Sequence, residues 1–150
     1  MKPIHRLPLI AALALSVGVG FAPPARAAGV GTDFWLAGGF TKPSYNVDIL
    51  ACLRGGLGVD FLGRFSVGAS TQVDRERYFY FAYAGVVLPR LGVLEPYARF
   101  HVGRRDDVDD TALGWSAGFR VGNGVVNLFI EGHGILEPGY GDGASVGLSF

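Results

Sequence analysis

Cysteine is almost missing from this chain. Cys52 stands alone, so no intrachain disulfide can staple the fold, and it lies too far from the start to carry a lipid anchor. Long apolar runs are missing too: after Ala28 no stretch reaches the ~18 apolar residues of a membrane-spanning helix. There is no run of Lys and Arg, which argues against a nucleic-acid partner. No glycine-rich phosphate loop, zinc-ligand spacing or nucleophile elbow occurs, so the common signatures of nucleotide binding, structural zinc and hydrolase chemistry are absent.

What is present begins with an export signal. Lys2 and Arg6 precede the apolar run from Leu7 to Phe21, and Ala25 and Ala27 fit a small-x-small cleavage site, so processing is expected after Ala27. Pro8 and the proline pair at Pro23 and Pro24 make this run a poor uncleaved anchor. Removing residues 1–27 takes Lys2, Arg6 and Arg26 from the 13 basic residues and none from the 13 acidic ones, which leaves 10 against 13 and a formal charge of −3. The expected mature chain, residues 28–150, suits one domain.

That chain holds most of 24 glycines and 11 phenylalanines. Its dominant pattern is an alternation of period two, in segments of about ten residues separated by turn residues. Eight segments are expected as strands. The first sets Val30, Phe34, Leu36 and Phe40 against Asp33, Trp35 and Ala37. In the second, Val47, Ile49, Ala51, Leu53, Leu57, Val59 and Phe61 oppose Asp48, Cys52, Arg54 and Asp60. In the third, Phe65, Val67 and Ala69 oppose Ser66, Gly68, Ser70 and Gln72. The fourth, YFYFAYAGVVL, is apolar on both faces; Phe79, Phe81, Tyr83 and Val87 are expected outward, with Tyr78 and Tyr80 inward.

In the fifth segment Leu94, Ala98, Phe100 and Val102 oppose Glu95, Tyr97, Arg99 and His101. In the sixth, Leu113, Trp115, Ala117, Phe119 and Val121 oppose Ser116, Gly118 and Arg120. A Gly122-Asn123-Gly124 hairpin turn leads to the seventh, where Val126, Leu128 and Ile130 oppose Asn127, Phe129, Glu131 and His133. The eighth sets Ala144, Val146, Leu148 and Phe150 against Gly143, Ser145, Gly147 and Ser149. Glycine at this density would penalise a helix by about 1 kcal/mol per residue. The expected fold is all-β: an eight-stranded antiparallel up-and-down transmembrane β-barrel.

Three features turn the apolar face outward. An eight-stranded barrel has an interior that side chains just fill, and the polar face is mostly small residues. Asp33, Asp48, Asp60, Glu95 and Glu131 share that face with Arg54, Arg99 and Arg120, so charges can pair in a closed lumen. Strands of ten residues tilted by ~40° cover about 25 Å, the height of a lipid-facing band. The alternative, an apolar ligand held inside a secreted soluble barrel, turns the same pattern inside out.

The signal segment, eight strands and terminal aromatic strand ending in Val146, Leu148 and Phe150 resemble the small outer-membrane barrels, such as the barrel domain of outer membrane protein A and the opacity-type proteins. The resemblance implies the outer membrane of a Gram-negative bacterium, a monomer among lipid and lipopolysaccharide, and insertion by the barrel-assembly machinery, which reads Val146, Leu148 and Phe150. It also implies that the chain ends face the periplasm. No cofactor is expected.

Two clusters invite chemistry. Glu131 and His133 share a face with His101, and Ser145 or Ser149 on the adjacent strand could supply a hydroxyl. The outer-membrane lipid A deacylases place a histidine and a serine two residues apart, but Gly134 and Ile135 follow His133 here. A lumenal network of Asp48, Arg54, Asp60, Glu95, Arg99, His101, Arg120, Glu131 and His133 is therefore expected in place of an active site. Asp106, Asp107, Asp109 and Asp110 form an acidic loop that could attract a divalent cation, although the spacing is not that of an EF-hand; a solvated loop is the simpler reading. Trp35, Trp115, Tyr45, Tyr83 and Tyr140 are candidates for interfacial aromatic girdles. The expectation is a non-enzymatic envelope protein with a filled lumen, in a structural or surface-contact role.

Overall fold

The computed structural model describes residues 29–42, 49–74, 77–106, 110–122, 125–136 and 140–150. The export segment 1–27, Tyr45, Val47, Asp48, Asp107, Asp109, Asn123 and Gly124 lie outside them. Eight strands run in chain order: β1 (Val30–Thr41), β2 (Leu50–Phe61), β3 (Phe65–Val73), β4 (Tyr78–Val87), β5 (Leu94–Arg105), β6 (Thr111–Gly122), β7 (Asn127–Ile135) and β8 (Asp142–Ser149). Each pairs antiparallel with its sequence neighbours, and β8 pairs with β1, closing an up-and-down barrel.

The register fixes the tilt. Cα partners lead from Thr32 through Val59, Val67, Ala84, Phe100, Trp115 and Gly134 to Asp142. The Asp142 carbonyl then accepts from the amide of Lys42, ten residues beyond the starting point on the same chain segment. Ten residues rise about 33 Å against about 38 Å around eight strands, a tilt near 40°. A strand of ten to twelve residues at that tilt stands about 25–30 Å tall.

Alternation sorts the side chains almost without exception. Outward rows of Phe, Leu, Val, Ile, Ala and Gly are exposed, while the inward rows are buried. Within the eight strands, the outward charged residues are Arg104 and Asp142, both at the last rung of the upper end. The fourth strand reverses the sequence expectation: Phe79, Phe81, Tyr83 and Val87 are buried inside and Tyr80 is exposed outside. Its pairing explains why. Tyr83 is the partner of His101 and Phe81 of Gly103, while Tyr80 faces Arg104. Register with β5, whose faces are chemically distinct, overrides a segment that is apolar on both sides.

The lower end, where β1 begins and β8 finishes, is closed by short turns. Leu62 and Gly63 both have positive φ, 54° and 63°, and the Arg64 amide donates to the Phe61 carbonyl at 3.0 Å. This is the I′ geometry that suits twisted hairpins, with leucine at a left-handed position that L side chains usually avoid. Gly92, at φ 66°, takes the first central position of the Leu91–Leu94 turn. The seam between β1 and β8 ends with the Phe150 amide donating to the Phe34 carbonyl at 2.8 Å and the two rings 5.5 Å apart. Val146 and Leu148 are exposed on the outer surface of that seam.

Candidate functional site

The lumen is the candidate site. Its lower half has room for large side chains because inward glycines carry none. A Cβ at Gly56 would collide with the Trp35 indole, one at Gly58 with the Tyr83 hydroxyl, and one at Gly147 with the Phe129 ring. Small residues on one strand thus accept large ones from across the barrel. Trp35, Phe129, Glu131 and His133 are at most 2% exposed. The gap left among Asp33, Asp60, Ser66, Tyr97, Arg99 and Arg120 toward the lower end has no room for a water molecule.

Arg99 is the hub at mid-height. Its guanidinium lies 4.7 Å from the ring centres of both Trp35 and Tyr97 and 5.8 Å from that of Tyr83. Cation–π attraction of this kind gains from desolvation. Its nitrogens face Asp33 Oδ1 at 3.4 Å and Glu131 Oε2 at 3.7 Å. Tyr83 donates its hydroxyl to Asp33 Oδ2 at 2.7 Å, and Tyr97 donates to Glu131 Oε2 at 2.7 Å. Arg54 forms an ion pair with Glu131, and the Ser145 hydroxyl donates to Glu131 Oε1 at 3.1 Å. Two carboxylates, two arginines and three hydroxyls are thus paired in charge, as buried ions require, while Arg54 Nε and Arg99 Nη1 make no hydrogen bond among the described residues. Nearer the lower mouth, Glu95 is shared by Arg120 at 3.0 Å and the half-exposed Arg90 at 3.4 Å.

The histidines sit above this hub. His101 has Ser70 Oγ 3.1 Å from Nδ1 and Ser116 Oγ 3.2 Å from Nε2; a neutral imidazole so placed donates to one hydroxyl and accepts from the other. His133 Nε2 faces Thr41 Oγ1 at 3.4 Å and Cys52 Sγ at 3.8 Å, and its Nδ1 lies 3.4 Å from Ser145 Oγ. Above them Phe79, Phe81, Ala112, Ile135 and Tyr140 form an apolar plug, with Tyr140 edge-on to Phe79 at 5.0 Å. Arg105 donates to the Tyr140 hydroxyl at 2.6 Å and Arg77 lies over its ring at 4.8 Å. Burial pushes the Tyr140 phenol up from its ordinary pKa, against the opposing pull of its Arg105 and Arg77 hydrogen bonds.

The expected network residues Arg54, Asp60, Glu95, Arg99, His101, Arg120, Glu131 and His133 are all buried inside. Sequence reasoning does not single out Tyr83, Tyr97 or Trp35 as network members, although the inward parity of Trp35 and Tyr97 is legible; Asp33 and Ser145, expected on the same polar face, join the network through Tyr83, Arg99 and Glu131. Trp35 and Tyr83 are lumenal, not girdle residues. Tyr140 caps the lumen, and Trp115 lies on the outer surface over Gly132.

Glu131, Ser145 and His133 do meet, but in an order unsuited to nucleophilic catalysis. The carboxylate is bonded to the serine and to arginine, while the histidine nitrogen away from Ser145 faces Thr41 and Cys52. A base held in place by a carboxylate needs the reverse arrangement. Ser149, at the lower end beside Asn127, is remote from His133. Asp106 accepts from the Tyr78 amide at 3.3 Å and Asp110 is exposed; among the described residues no group of three or more His, Cys, Asp or Glu could hold a metal ion.

No family model matches the chain, and no curated protein matches it. Among solved structures it is similar to TMB2.3, a de novo designed transmembrane β-barrel solved by solution NMR. The TM-score is 0.58 at 19% identity, over 87% of this chain and 96% of the designed one. That similarity establishes the fold, an eight-stranded closed antiparallel barrel.

Proposed function

We propose that this protein is an outer-membrane β-barrel of a Gram-negative envelope, exported by cleavage after Ala27, in a structural or surface-contact role with its lumen held shut. One observation carries the reading: along the strands the outer surface carries no charge below the last upper rung, where Arg104 and Asp142 stand, while the other charged side chains of the strands are gathered inside. An exposed apolar surface on this scale is costly in water and free of cost in lipid. The opposite arrangement, a soluble barrel with an apolar cavity, would need the Leu, Val and Ile rows inside.

Packed side chains at mid-height favour a plugged barrel over an open pore, and the order of Glu131, Ser145 and His133 favours a structural network over an enzyme. Lipid and lipopolysaccharide would cover the belt, and Val146, Leu148 and Phe150 on the closing seam would be the segment read by the assembly machinery. The protein would act as a monomer, with no cofactor. Outer-membrane fractions run unheated and boiled on SDS gels test this. A band that migrates faster unheated supports a closed barrel in that membrane; a soluble periplasmic species would sink the reading. Single-channel conductance in planar bilayers would sink the plugged lumen alone.

A further inference from the structure

The two ends of the barrel differ in a way that the closed lumen does not require. At the upper end, exposed charges of both signs meet, with Lys42 and Arg104 beside Asp106, Asp110 and Asp142. At the lower end the turns are apolar: Leu62 is 75% exposed, Val93 74%, Leu91 66% and Val125 62%. The exposed charged side chains there, among the described residues, are Arg64 and Arg90. The acidic groups of that end, Asp60 and Glu95, are buried, and Glu95 is shared between Arg90 and the lumenal Arg120, which leaves the surface with a surplus of positive charge.

Leu62 sharpens the point. It occupies a left-handed position, φ 54°, where Gly, Asn or Asp is the usual choice, yet its side chain meets little of the protein. An apolar side chain held at such a position and left exposed would gain from a contact beyond the chain. The outer belt also runs into these turns without a polar break, through Phe61, Phe65, Leu94 and Leu128. A surface that continues a lipid-facing belt and then offers guanidinium groups matches acyl chains followed by phosphates.

We propose that the lower end of the barrel is a lipid-docking surface: its turn residues enter the acyl boundary of the nearer leaflet, and Arg64 and Arg90 hold the phosphates of anionic phospholipid. This rests on the membrane-barrel reading. The barrel would then sit deep on this side, its position set by headgroup contacts and not by a girdle of tryptophans.

The test uses the full chain carrying Cys52→Ser, with a single environment-sensitive fluorophore at Leu57→Cys, Leu62→Cys or Val93→Cys, in phosphatidylcholine vesicles with and without phosphatidylglycerol. All three labels should be quenched by lipid-borne nitroxide and sheltered from aqueous iodide. Phosphatidylglycerol retained on detergent-purified protein, counted by native mass spectrometry, should show binding weakened about fivefold by each of Arg64→Gln and Arg90→Gln. A sheltered label at 57 with iodide-accessible labels at 62 and 93 overturns the docking surface while leaving the membrane barrel intact. Iodide access at 57 overturns both. Labels at 62 and 93 hidden from both quenchers would indicate a protein cap and overturn the lipid assignment, as would unchanged phosphatidylglycerol retention in the two arginine variants.

Discussion

At mid-height the lumen is filled by Arg54, Arg99 and Glu131, clasped by Trp35, Tyr83, Tyr97 and Ser145; one level up, beyond the histidines, it is filled by Phe79, Phe81, Ile135 and Tyr140. The two fillings share only the inward rows of β4 and β7, and they hold by different means. The lower filling depends on every charge having its partner, so removing one charged group strands another in the interior. The upper filling depends on shape and apolar area, so it fails in proportion to the volume removed. His101 joins the two, with ring contacts to Phe81 at 5.6 Å and Tyr83 at 5.8 Å.

The comparison can be broken most severely at Glu131. In Glu131→Leu, Arg54 and Arg99 keep buried charge with one carboxylate fewer, and a loss of about 3–5 kcal/mol is expected; urea unfolding of the barrel in vesicles would measure it. Phe79→Ala, which leaves a ring-sized gap in the upper filling, should cost about 3 kcal/mol, and a smaller loss for Phe79→Leu would show the graded response that the charged level lacks. A loss at Glu131→Leu no greater than that of Phe79→Leu would remove the distinction.

Ser145→Ala deletes one donor to Glu131 while Tyr97 and Arg54 remain, so about 1 kcal/mol is expected. The double variant Phe79→Ala with Glu131→Leu should be additive to within about 0.5 kcal/mol, since the two side chains share no partner; stronger coupling would mean that His101 transmits repacking between the levels. The smallest effect is at Tyr140. Because its phenol titrates above its ordinary value when folded, its contribution is complete below the unfolded pKa of about 10 and is lost as pH rises through the folded value. Loosening of the upper end above about pH 10, followed by phenolate absorbance, should disappear in Tyr140→Phe.

The same contrast accounts for what was legible. The charged level could be read because Arg99, Glu131 and Arg120 alternate with Phe100, Ile130 and Phe119, and a charge at every second position marks its face. The aromatic level could not. In YFYFAYAG every position is apolar or aromatic, so period two carries no sign, and the pattern alone orients the fourth strand the wrong way round. Trp35 and Tyr83 went to the membrane interface for a related reason: an aromatic with one polar atom suits a girdle and a cation–π stack equally well.

The sequence by itself determined the strand count, the closing strand and the split between apolar and polar rows, because period two and turn residues are local properties that need no partner to be read. Only the tertiary structure decided the ten-residue stagger, the orientation of the fourth strand and the choice of partners for Arg99. Those depend on which rungs meet across the barrel, and a register is settled by all eight pairings together, not by any one strand.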